Sequence, residues 1–157
     1  MIENKDRDYK SLRKAIGRKA DLKKLAEACV CFANAQGGEI IIGIEDKESE
    51  PPERQKIKQE DLNKFVSNLR NLTDGVGLVN PEIIRHPNGG EYFVLKILPS
   101  TRTIATTSSG KVFIRISDNC CPVGNEELTD LAADKTAFQW ELISPFKISP
   151  AKAEKAK

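Results

Sequence analysis

Histidine, tryptophan and methionine are nearly missing from this chain of 157 residues: His86 is the lone histidine, with one Trp and one Met. A structural zinc site draws on histidines or CxxC-type pairs, and the four cysteines offer neither, since Cys29 and Cys31 are two apart and Cys120 and Cys121 adjacent. That pattern is also unlike the spaced framework of a small secreted domain. Reduced thiols are therefore expected, with Cys29 and Cys31 packing a helix. Aromatic residues make up only 6%, and Tyr9 alone stands among the N-terminal cations, so sequence reading of single strands by base stacking is not indicated. No apolar run approaches the roughly 20 residues that span a bilayer, and the start MIENKDRDYK has no signal-peptide core. A cytoplasmic location without membrane contact is expected. No GxxxxGK followed by Ser or Thr occurs, which excludes the usual triphosphate loop.

What remains is a charge-rich globular composition, 39% hydrophobic and 31% charged, with a mean hydropathy of -0.44. Net charge is only +2, but unevenly placed. Residues 1 to 24 carry nine Lys or Arg against four acids, a segment of +5 that leaves the rest at −3. Such asymmetry fits a phosphate-binding edge, and equally a solvated leader.

The order of elements follows from periodicity. Asp21 caps a helix whose Leu22, Leu25, Ala26, Cys29, Phe32 and Ala33 keep helical spacing, and Gly37 and Gly38 supply its left-handed exit. Glu39 to Ile44 is apolar on both faces and belongs at the centre of a sheet, with Gly43 marking a close approach to the backbone. After the loop DKESEPPERQ, Leu62, Phe65, Val66, Leu69 and Leu72 line one face of a second helix. Strands follow in PEIIRH, EYFVLKIL, TIATT and KVFIRIS, with turns at Pro87-Asn88-Gly89-Gly90 and Ser108-Ser109-Gly110. A third helix is expected from near Asn125, with Glu126 and Glu127 at its positive end. The reading is an α+β fold, one domain over residues 1–140 with a mixed β-sheet and about three α-helices. Residues 141–157, ending in AKAEKAK, form a tail or linker.

The paired glycines invite comparison with a dinucleotide fingerprint, but that motif puts them after a strand and before a helix. Here the order is reversed. The stretch FANAQGGEIIIGIED instead resembles the central signature of the Schlafen AlbA-like domain, a helix ending in A-F-A-N, then G-G, an apolar strand and G-[VI]-x-D. KVFIRISDN is similar to the second signature of that family, and Asp8-Tyr9-Lys10 stands in the place of its E-F-K, with Glu3 at an earlier Glu. The resemblance covers residues 3 to 137. It implies a nucleic-acid-binding module of bacterial transcriptional regulators, often joined to a winged helix. In the eukaryotic branch a related domain resembles a metal-assisted RNase, whose three carboxylates correspond here to Glu3, Asp8 and Asp46. Asp8 replaces Glu, Asn4 a common Ser, and Ser117 a common Gly.

Phosphodiester hydrolysis needs carboxylates converging on Mg²⁺ or Mn²⁺. Glu3 and Asp8 are five apart, on different faces of either a helix or a strand. Asp46, at the end of the apolar strand, is better placed. For binding, Lys10, Arg13, Lys14, Arg18 and Lys19 are positioned to neutralise phosphates, and Arg115 to offer a bidentate fork or a salt bridge. Three readings stand: a nucleic-acid binder needing no cofactor, a divalent-metal RNase with Glu3, Asp8 and Asp46 as ligands and catalytic groups, and an interaction or oligomerisation domain. DNA against RNA, and a homodimer, are left open.

Overall fold

In the computed structural model, which describes residues 7–116, 119–124 and 131–133, the isoleucine run forms the middle of a five-stranded mixed sheet. In chain order the elements are β1 (Arg7–Lys10), a single 3-10 turn (Leu12–Lys14), α1 (Leu22–Ala33), β2 (Gly38–Ile42), α2 (Gln59–Asn71), β3 (Thr73–Asp74), β4 (Gly77–Val79), β5 (Ile84–Arg85), β6 (Glu91–Leu98), β7 (Thr106–Thr107), β8 (Phe113–Ile116) and β9 (Asn119–Pro122). The main sheet runs β1-β2-β6-β4, with β5 also paired to β6, while β3–β7 and β8–β9 form separate two-stranded ladders. β1 lies parallel to β2, with Asp8 opposite Ile40 and Lys10 opposite Ile42. β6 is antiparallel to β2, β4 and β5. The fold is α+β. The third helix expected near Asn125 begins outside the described residues, of which 131–133 are helical.

Both faces of β2 are covered, which is why its sequence does not alternate. Ile40 and Ile42, each 0% exposed, pack with Phe32 of α1, Leu62 and Leu69 of α2, and Phe93 and Leu95 of β6. Burial of each such side chain is worth about 1.5–3 kcal/mol. Ile41 points the other way and joins Tyr9 and Ile44 in a smaller cluster against Tyr92 and Val94.

The second half of α1 is buried all round, Ala28 to Ala33 without a break. The sheet takes one side of it and the β8–β9 hairpin the other. Asn34, just past the helix, ties these layers together: its Nδ2 donates to the Ala105 and Phe113 carbonyls, and its Oδ1 accepts from the Ala105 N–H at 2.8 Å. A disulfide joins Cys31 of α1 to Cys120 of β9, Cα atoms 5.8 Å apart, leaving Cys29 and Cys121 free. This corrects the expectation of four reduced thiols. The pair is 89 residues apart in sequence, so only the tertiary fold brings it together.

The capping expectations are met at Asp21, whose side chain accepts from the Lys24 N–H. At the other end Gly37 alone takes the left-handed conformation, at φ 77°, while Gly38 already belongs to β2. The close approach expected at Gly43 comes from Gln55 and Tyr92, and the Gln55 amide donates to the Gly43 carbonyl at 2.8 Å.

Candidate nucleic-acid interface

The cations between β1 and α1 are displayed by a short, tightly closed excursion of the backbone. Leu12, Ala15 and Ile16 turn inward onto the core, so the 3-10 turn leaves Arg13 and Lys14 outward. Gly17, at φ 109°, reverses the chain, and the Asp21 N–H donates to the Lys14 carbonyl at 2.9 Å. That bond closes a loop with Arg18 and Lys19 exposed upon it and Lys23 and Lys24 following on the first turn of α1. The loop and the turns on either side of it therefore display six cations, with Asp21 committed to capping. Lys14, Arg18 and Lys19 form no ion pair among the described residues. Arg13 does, with Glu45 at 3.1 Å, an exposed pair of little strength.

One cation escaped the sequence reading. Lys64 of α2 lines, together with Arg18, a cleft of about 410 Å³ between this loop and α2, in which Asp61 and Phe65 also sit. In sequence Lys64 lies within a helix that begins Gln59-Glu60-Asp61, and nothing local marks it as belonging with the N-terminal cations. Only helix packing joins them.

Other expected site residues lie elsewhere. Lys10 is half-buried and its Nζ pairs with Asp8 Oδ2 at 3.3 Å. Asp8 is buried, and its Oδ1 accepts from the Tyr9 N–H at 2.9 Å. Tyr9, 3% exposed on the far face of the sheet, offers no ring for a base to stack on. The Arg7 guanidinium is held above its ordinary pKa, first by a hydrogen bond and charge interaction with Tyr9 and then by Glu39. Arg115 is buried in β8, with its guanidinium over the Phe32 ring, 4.4 Å from the centroid. The cation–π contact fastens the hairpin to α1 and takes Arg115 off the basic surface.

Asp46 is exposed in a turn beyond β2, because the strand stops at Ile42, where Gly43 departs at φ 115°. Glu3 lies outside the described residues. Among the described residues no group of three His, Cys, Asp or Glu could hold a metal ion, so Asp8, engaged with Lys10, and the exposed Asp46 make no cage by themselves.

The family model described as Schlafen, AlbA_2 matches residues 3–124. The chain belongs to that family. Membership in the Schlafen AlbA_2 family suggests a nucleic-acid-binding domain. No protein of curated function matches the sequence. A crystal structure of the DIP2311 protein from Corynebacterium diphtheriae is similar in fold, with a TM-score of 0.52 and 23% identity over 76% of this chain. The match takes in 25% of that protein, so this Schlafen AlbA_2 chain spans about a quarter of its length.

Proposed function

We propose that this domain binds nucleic acid as the contacting module of a transcriptional regulator, holding the phosphate backbone on the loop between β1 and α1. The observation that carries the reading is the row Lys14, Arg18 and Lys19, exposed and without ion pairs among the described residues, on a loop closed by the Asp21–Lys14 backbone bond. Phosphate contact by such side chains gives affinity and orientation without reading sequence. Lys23, Lys24 and Lys64 extend the surface. Arg115 and Lys10 are left out of it, and Asp8 and Asp46 receive no catalytic part.

Titration of labelled duplex DNA and single-stranded RNA across a range of salt tests this. With about five phosphates contacted, log K should fall against log salt with a slope of roughly −3 to −5. Lys14→Ala, Arg18→Ala and Lys19→Ala combined should flatten the slope by about 3 and weaken all sequences alike. A flat response in the unaltered protein would refute the reading.

A further inference from the structure

The other side of α2 carries a different chemistry. Gln59, Asn63, Ser67 and Asn71 recur at every fourth position, forming a stripe of neutral hydrogen-bonding side chains along a helix whose remaining exposed positions include Glu60, Asp61, Lys64 and Arg70. All four line an open groove of about 840 Å³, whose opposite wall includes Asn80 and Glu82. Leu62 and Val66 give it an apolar floor.

The groove is organised. Arg70 Nη2 donates to the Leu78 carbonyl at 3.0 Å and to Asn80 Oδ1 at 2.7 Å, which anchors the opposite wall to α2. Gln59 Nε2 donates to Asn63 Oδ1 at 2.8 Å. That bond leaves Gln59 Oε1 as an acceptor and Asn63 Nδ2 as a donor, neither with another partner among the described residues.

Resting on the phosphate-binding reading above, we propose that this groove takes the bases of a single-stranded nucleic acid whose backbone lies on the cationic side of the same helix. A carboxamide presents a donor beside an acceptor, the pattern that matches a base edge. Glu82 repels phosphate but accepts from the exocyclic amine of a base. The cleft shared by Arg18 and Lys64, with Asp61 beside them, adjoins the same helix. α2 therefore lies between the basic loop and the groove, where Arg70 is engaged with Leu78 and Asn80 and the other α2 side chains are uncharged. A strand crossing α2 meets both in the order its own chemistry requires. No aromatic side chain lines the groove among the described residues, and base preference by hydrogen bonding does not require one.

Two measurements test this on the full chain. In ¹⁵N-labelled protein, adenosine, cytidine, guanosine and uridine, which carry no phosphate, should shift the side-chain amide signals of Gln59, Asn63, Asn71 and Asn80. In the second, ribo-oligomers of A, C and U should differ in affinity by at least about fivefold, the worth of one net hydrogen bond. Asn63→Ala with Asn71→Ala, both exposed, should erase that spread while leaving the salt slope and the melting temperature unchanged. Silent amide signals and equal affinities on a steep salt slope overturn the groove and spare the basic surface. A flat salt slope overturns the basic surface, and with it a strand as the occupant. Signals that move with an uncharged Gly-Ser peptide and not with nucleosides overturn the proposal in favour of an extended polypeptide.

Discussion

Gly37 is the residue on which the passage from α1 to β2 turns. Its φ of 77° suits glycine, and a Cβ there would lie 2.7 Å from the Ile97 carbonyl oxygen and 2.9 Å from Pro99 Cδ. Gly37→Ala should therefore cost about 1–3 kcal/mol, through backbone strain and the displacement of Pro99. Urea unfolding would measure it, and an unchanged midpoint would show that the junction relaxes freely. Cys29 makes a second residue-scale prediction. Complete burial pushes its thiol up to about 12 from 9.0, so the folded state keeps the proton after the unfolded chain has lost it. The stability this contributes is full below pH 9.0 and falls away as pH rises toward about 12. Cys29→Ala should show a shallower alkaline loss than the unaltered protein, followed by thermal melting across that range.

At the scale of elements, the β8–β9 hairpin is held to α1 by three contacts of different kinds: the Cys31–Cys120 disulfide, Arg115 over Phe32, and the Asn34 amide. Closing a loop across 89 residues restricts the unfolded chain strongly, and removing such a link costs typically about 2–4 kcal/mol. Cys120→Ser should lower stability by that amount under non-reducing conditions, and dithiothreitol should destabilise the unaltered protein to match. Peptide mapping should find Cys29 and Cys121 alkylatable after unfolding and the other two linked. α1, β2 and α2 were legible in the sequence because their apolar spacing encodes which face is buried. The two-residue strands β3, β5 and β7 were not legible at their true length, since pairs such as Thr73 with Thr107 owe their pairing to distant neighbours. Asp21 announced its cap locally. The disulfide, the burial of Arg115 and the placement of Lys64 beside Arg18 arise only when α1, α2 and the hairpin pack.

Over the whole molecule, opposite charges are set near one another. The basic loop adjoins an acidic one through Arg13 and Glu45, and beyond Glu45 come Asp46, Glu48, Glu50 and Glu53. This arrangement sharpens the field at the basic surface and keeps the net charge low, so binding should respond to the removal of a nearby acid. Asp46→Asn should leave folding unchanged and affinity for labelled RNA equal or slightly higher. EDTA or Mn²⁺ should not alter retention on the basic surface. Cleavage of the RNA that needs Mn²⁺, stops with EDTA and disappears in Asp46→Asn would assign that acid a catalytic part. The basic segment was legible in the sequence as a run of cations, whereas the groove along α2 needed the Asn80–Glu82 wall, which only the sheet places opposite the helix.

The position of β1 carries a consequence for how the chain acquires its shape. Among the described residues it is an edge strand that pairs with β2 alone, Arg7 meeting Glu39 across 32 residues, and β2 is itself held on its other side by β6. Among the described residues local pairing is confined to the β5–β6 and β8–β9 hairpins. Long-range ladders form slowly, because loop closure precedes their reward. During synthesis β1 and β2 leave the ribosome before β6, and β2 is secured on its other side only once β6 has followed, so this early-made pair is ordered late.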